Sequence, residues 1–422
     1  MKTKNLLFLL VIIIVVACST PRNTGYKPES KSYTHESNTI NSDFIVHHVN
    51  DSISELYFKI RSKELLYTRP DGFNFFSNVL ISVRLTSNYD SREFSDSASV
   101  RLVDQNNEGA DKFLIGKIKL RARTLKNYYL RATVSDLNRN TEFTKVLFVQ
   151  KDNDINRQNF MVLSAGNTMM FTNIVKSNEE VTIVYKEKIS VKLFVNYYHR
   201  DFALALPPFS ETEVKPFEYH PDSTFAVELK DGVVNFIATK KGFYHFQLDT
   251  TQRDGLTLFN FSDGFPNVKK VDELIPPLRF ITSKTEFEAL LATPDKKTAA
   301  DEFWMSCTAH NAERSKDLIR KFYNRVQDAN LHFTSYVEGW KTDRGMIFLI
   351  QGPPNVIYRD GTRENWIYGE ENSVNSVSYL FSKVMNPFTD NDYELERSPL
   401  FKPLWFASVD AWRQGRIYLQ NN

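Results

Sequence analysis

Few residues in this chain stand at spacings that do chemistry. Cys307 and His310 are three apart in Cys-Thr-Ala-His, a separation that sets a thiol and an imidazole on one face of a helix. A thiolate next to a base is a nucleophile. Phe303, Trp304 and Met305 precede the pair, however, and cysteine in apolar company usually packs. Asp343 and Arg344 follow Trp340 closely, which suits an exposed ligand-binding corner. Asp390-Asn391-Asp392 offers oxygens but lacks the glycine and spacing of a calcium loop, so it reads as a turn. His47-His48 and His332 have no evident partners. No GxSxG, HExxH or phosphate-binding glycine loop is present. The expectation is a protein without cofactor or metal, and not an enzyme.

The elements that must hold these residues come from several domains. A chain of 422 residues exceeds one compact core. Lys+Arg (53) and Asp+Glu (51) nearly cancel, so bulk charge gives no reason to expect nucleic acid. Phe (33) and Tyr (19) are abundant, and aromatics favour strands.

The first residues carry an address. Lys2 and Lys4 precede the apolar run Asn5 to Val16, and Val15-Val16-Ala17-Cys18 follows. This resembles the lipobox of bacterial lipoproteins, which implies a signal peptide over 1–17 and a lipid on Cys18. Such an anchor carries several acyl chains, and each buried CH₂ contributes about 0.8 kcal/mol. The resemblance implies an outer-membrane protein facing the periplasm. The stretch 18–43 is polar and reads as a disordered tether. Cys307 is the only other cysteine, so no intrachain disulfide is expected in the mature protein.

From 44 to 152 short alternating segments such as ELYFKI, VLISVRL and YYLRATVSD are separated by turns at 69–72, 106–109 and 137–140. That is the pattern of a β-sandwich. It restarts over 153–280 with NFMVLS, TMMFTN, EVTIVY, ISVKLFVNYY and GVVNFIAT. The fold class is therefore mainly β, with two tandem immunoglobulin-like sandwiches and a C-terminal α+β domain over 281–422. There, apolar residues spaced by three and four predict one helix over 299–337. Strands over 345–351, 364–369 and 377–384 then predict a small antiparallel sheet under it.

The stretch EGWKTDRGMIFLIQGPPNVI, followed by ENWIYG, resembles the GWxTD domain of Gram-negative envelope lipoproteins. Its motif stands here as Gly339-Trp340-Lys341-Thr342-Asp343, with Arg344, Gly345, Gly352, Pro353, Pro354 and Trp366 fitting as well. The likeness covers roughly 300–422 and implies no chemistry. Physically, Gly339 caps a helix, Trp340 lies over the sheet, and Thr342 and Asp343 bond nearby backbone N–H groups. Arg344 pairs with Asp343 or with a carboxylate on the helix, Gly345 opens a strand, and Gly352-Pro353-Pro354 stops it. The corner is either fold-defining or a contact surface for a partner.

The function expected is an accessory or scaffold subunit of an envelope complex, with an outer-membrane β-barrel or other lipoproteins as partners. The alternative is a lipoprotein that binds a cell-wall or surface glycan, its sugars stacked on Trp340, Trp366 and Trp405. Exposed rings favour that alternative; buried ones count against it.

Overall fold

The computed structural model describes residues 40–417 apart from positions 90, 372 and 375. The expected signal peptide, Cys18 and nearly all of the tether lie outside the described residues. Seven strands follow: β1 (Asp43–His48), β2 (Ile53–Arg61), β3 (Phe76–Thr86), β4 (Asp96–Gln105), β5 (Phe113–Arg121), β6 (Lys126–Asp136) and β7 (Thr141–Lys151). They form two antiparallel sheets, β1-β2-β5 and β4-β3-β6-β7. Alternation places Leu56, Phe58 and Ile60 against Val79, Ile81, Val83 and Leu130 in one core.

The same topology then repeats. The strands β8 (Phe160–Ser164), β9 (Glu180–Tyr185), β10 (Val191–Tyr198), β11 (Ser223–Leu229), β12 (Val233–Ile237), β13 (Gly242–Gln247) and β14 (Leu256–Asn260) make the sheets β12-β9-β8 and β11-β10-β13-β14. The expected strand over 168–173 is absent. Met169 makes only an isolated bridge to Leu163.

In β14 all five residues are buried, and in β13 all but Gly242. A strand hidden on both sides has a second layer over it. Tyr244, Phe246 and Leu256 point into the sandwich core. Phe243, Phe259 and Tyr198 point the other way, into an aromatic cluster completed by Phe388 and joined by Phe217 and Tyr336. Ring centroids stand 4.9 Å apart for Phe243–Phe388 and 5.0 Å for Phe217–Phe388. Phe388 and Tyr336 belong to the C-terminal part, so this cluster joins the two.

That part comprises α1 (Lys284–Ala292), α2 (Lys296–Cys307), α3 (Ala312–Phe333), α4 (Asp343–Gln351), the strands β15 (Val356–Arg359), β16 (Arg363–Tyr368), β17 (Val377–Lys383) and β18 (Tyr393–Leu395), and α5 (Lys402–Arg413). The strands form one antiparallel sheet in sequence order. The chain is thus mainly β with a C-terminal α+β part.

Three local expectations need correction. The single helix over 299–337 is two, α2 and α3. Ala309 and His310 adopt positive φ (50° and 60°) and break it, and Asn311 caps α3 by accepting the Arg314 N–H. Residues 345–351 are the helix α4, not a strand. A run as apolar as Met346–Ile350 has no polar face to report its period, and every residue of α4 is buried. Gly339 is not a helix cap, because α3 ends at Phe333 and Gly339 opens a 3₁₀ turn, Gly339–Lys341. The helix α1 went unread, although Ser283 and Glu286 form a reciprocal capping box. Among the described residues no helix is long and apolar enough to cross a membrane.

Candidate functional site

The corner begins with two glycines that touch. A Cβ built on Gly339 falls 1.9 Å from the Ala329 carbonyl oxygen on α3, and one on Gly345 falls 1.8 Å from the Gly339 oxygen. Neither site has room for a methyl, so the 3₁₀ turn is pressed between α3 and α4. Thr342 links its two sides: its hydroxyl donates to the Gly339 carbonyl (2.8 Å) and accepts the Gly345 N–H (3.1 Å) as the N-cap of α4. Trp340 is buried with its ring edge-on to Phe280, centroids 6.1 Å apart.

The charged residues point inward and do not pair with each other. Asp343 accepts the Leu395 N–H (2.8 Å) and the Arg397 guanidinium. Burial pushes its carboxyl above the usual range, while Arg397 and the Leu395 N–H pull the other way. Arg344 donates to Glu364 Oε1 (3.2 Å) and to the Asn391 carbonyl (3.0 Å), and its guanidinium lies 3.9 Å from the centre of the Tyr393 ring. Thus the partner expected for Arg344, Asp343 or a helix carboxylate, is instead a glutamate on β16. Burial alone would raise the Glu364 carboxyl, but Arg359, Arg344 and the Trp366 indole N–H hold it down at about 2. That N–H donates to Glu364 Oε2 at 2.9 Å. Asn391 closes the network by donating to the carbonyls of His332 and Thr334 (3.0 Å each), where α3 ends and leaves acceptors unpaired.

The far end of α4 is held in the same manner. Gly352 ends it at φ 86°, and a Cβ there would fall 2.7 Å from Arg325 Nη2. Arg325 donates to the carbonyls of Leu349 and Ile350 (3.2 Å each), and the Trp412 indole adds a bond to Ile350. Pro353 and Pro354 then carry the chain into β15. Trp366 packs on Phe333 of α3 (5.3 Å) and Phe381 (4.8 Å). A strap from the β10–β11 connection crosses the corner: Ala205 N–H donates to the Lys341 carbonyl (3.0 Å), and Ser398 N–H to the Pro208 carbonyl (3.0 Å). The motif residues therefore gather at one place, but as the interior of a joint.

Sequence reading missed Glu364, Asn391 and Arg397, the partners of the motif. A signal existed for the first. Glu364, Trp366 and Tyr368 occupy alternate positions of β16, so a glutamate in the buried register had to face a cation; all three are buried. The Cys307–His310 pair is not assembled. Cys307 is buried at the end of α2, where burial raises its thiol pKa, and His310 is exposed beyond the helix end. Trp340, Trp366 and Trp405 are all buried. Asp390 pairs with Arg157 at 3.3 Å. Among the described residues no group of three or more His, Cys, Asp or Glu is placed to hold a metal.

Residues 242–414 match the GWxTD domain family. The chain carries a GWxTD domain. The match begins at Gly242, the first residue of β13, and so reaches further upstream than the 300–422 likeness of the motif. No curated protein matches the chain. The C-terminal α+β part meets both sandwiches across a cleft of about 1680 Å³ that reaches the corner itself: Arg344, Glu364 and Asn391 line it, together with Arg131, Glu142 and Lys145 of the first sandwich and Met161 of the second.

Proposed function

We propose that this chain is an outer-membrane lipoprotein, anchored through Cys18, that serves as a non-enzymatic accessory or scaffold subunit of an envelope complex. Its partners are an outer-membrane β-barrel, other lipoproteins, or both. The observation that supports this reading is the use made of the motif. Trp340, Thr342, Asp343 and Arg344 are all engaged in internal contacts, so the corner shapes a body. Packing between the second sandwich and the C-terminal α+β part, through the Phe243–Phe388 cluster, favours a stiff array that offers its outer faces to other proteins. The glycan reading loses the surface it relied on, since burial of Trp340, Trp366 and Trp405 leaves no ring there for a sugar.

The test is recovery of the complex. The C-terminally tagged chain is extracted from membranes in mild detergent, beside a Cys18→Ser variant. Expected is a stoichiometric barrel or lipoprotein partner with the wild type, and release of the variant from the membrane fraction. Recovery of the chain alone overturns the scaffold reading, and a variant that stays in the outer membrane overturns the anchor.

A further inference from the structure

Arg84 on β3 stands directly opposite Arg131 on β6. Like charges facing across a strand pair repel, which destabilises the sheet. Positions around them on this face give no relief. Ser97 and Val146 complete the row across the sheet, and Thr86, Ser82, Tyr129 and Thr133 lie above and below. None is acidic. A third arginine, Arg92, comes from the β3–β4 connection, and all three line a pocket of about 330 Å³. No carboxylate lines it among the described residues, and Arg84, Arg92 and Arg131 make no ion pair or side-chain hydrogen bond there. Three guanidinium groups, each exposed to solvent, thus share one recess without a carboxylate partner among the described residues, an arrangement that suits a bound anion.

The rest of the lining narrows the class. Tyr89 and Tyr129 meet edge to face at 5.6 Å, and Phe94 adds a further ring. The hydroxyls of Thr86 and Ser91 are the neutral polar groups beside them. Three planar forks suit an anion with three or four oxygens better than a carboxylate with two. Aromatic rings in the same lining as the cations suit a compact ring attached to that anion. The volume is at the small end for ligand sites.

We infer that the pocket formed by Arg84, Arg92 and Arg131 beside Tyr89 and Tyr129 binds a phosphate ester carried on a compact ring such as a sugar. The site has a route to the GWxTD domain. The Tyr89 hydroxyl donates to the Arg359 carbonyl at 3.3 Å. A Cβ on Gly361, in the β15–β16 turn, would lie 3.1 Å from the Tyr89 and Tyr129 rings alike. The rings that wall the pocket are thus the rings on which that turn rests.

The experiment is calorimetric titration of the full-length chain with inorganic phosphate, glucose 1-phosphate, glycerophosphoglycerol (a lipid headgroup without its acyl chains), glucose and glucuronate. Arg84→Gln and Arg131→Gln variants run in parallel. Expected is saturable binding of glucose 1-phosphate, weakened by salt and by at least about tenfold in each variant, since a charge-assisted bond is lost. Tighter binding of glycerophosphoglycerol assigns the phosphate ester to a lipid headgroup and overturns the ring. Binding of inorganic phosphate alone also overturns the ring. Equal binding of glucuronate overturns the choice of phosphate, and no binding of any anion overturns the site. Melting tests the premise separately: each variant, relieved of a like-charge contact, is expected to melt no lower than wild type. A lower melting temperature in both overturns the argument from repulsion.

Discussion

Gly345→Ala is the sharpest test of how the corner is built. The new Cβ would stand 1.8 Å from the Gly339 carbonyl oxygen, 2.7 Å from its carbon and 3.0 Å from Trp340 Cα. Carbon and oxygen in close contact stay roughly 3.3 Å apart, so the shortfall is about 1.5 Å. All the atoms struck are backbone, and no rotamer change relieves them. The helix α4 must retreat, yet each of its nine residues is buried, so retreat opens voids on its far side. Overpacking that side chains can absorb costs about 1–3 kcal/mol, and a backbone clash belongs at or above the top of that range. Alanine recovers up to about 1 kcal/mol of helix propensity. The expected net loss is about 2–4 kcal/mol. The five tryptophans of the chain are Trp304, Trp340, Trp366, Trp405 and Trp412, all buried in the C-terminal part. Urea unfolding followed by tryptophan emission therefore reports on that part alone, free of the sandwiches. Gly166→Ala in the second sandwich is the control, because its Cβ meets nothing nearer than 3.9 Å; followed by far-ultraviolet circular dichroism, which sees the sandwiches, it should change stability by less than about 0.5 kcal/mol. If Gly345→Ala were equally silent, the close approach of Gly339 and Gly345 would not be what the motif secures.

Two further perturbations address charge. Arg344→Met removes one of the two guanidinium groups that meet Glu364 and should cost about 3–5 kcal/mol in the same assay, while Arg344→Met with Glu364→Gln should recover part of that loss; strictly additive losses would mean the two residues do not act as a pair. Acid should weaken the sandwiches, because burial depresses His47, His48 and His245 to about 4. Each is neutral when folded but binds a proton near pH 6.5 when unfolded, so stability is full above about 6.5 and falls as pH drops toward 4. The loss amounts to at most about 3 kcal/mol per histidine. Scanning calorimetry at pH 7.5, 5.5 and 4.5 measures it, and a flat melting temperature over that span would contradict the neutral assignment.

The sandwiches were legible because their strands have one wet face: Val79, Ile81 and Val83 alternate with more exposed neighbours along β3, and period two shows. The failures came where an element is wet on no face. Met346 to Ile350 carry no polar residue, so helix and strand write the same sequence there. The motif itself was readable as a corner, since glycine, threonine cap and glycine have local roles. Its electrostatics were not, because Asp343 and Arg344 find their partners at Arg397 and Glu364, and no local rule reaches across such separations. Tryptophan exposure was equally invisible: Trp340, Trp366 and Trp405 have the residue type of a sugar platform and the surroundings of a core.

The strap from the β10–β11 connection means that inheritance and folding divide this chain at different places. The family segment starts at Gly242, yet β13 pairs with β10 over Phe194–Gln247 to Tyr198–Phe243, and Lys341 holds the amide of Ala205. A chain cut at Gly242 would leave one side of β13 without its neighbour strand and the corner without its cover. During synthesis the strap is made well before the helices it will lie across, so Leu204 to Phe209 must wait, unsatisfied, for the C-terminal half to arrive. The recurring module is therefore a guest: it reaches its native state only on a host strand that its own segment does not encode.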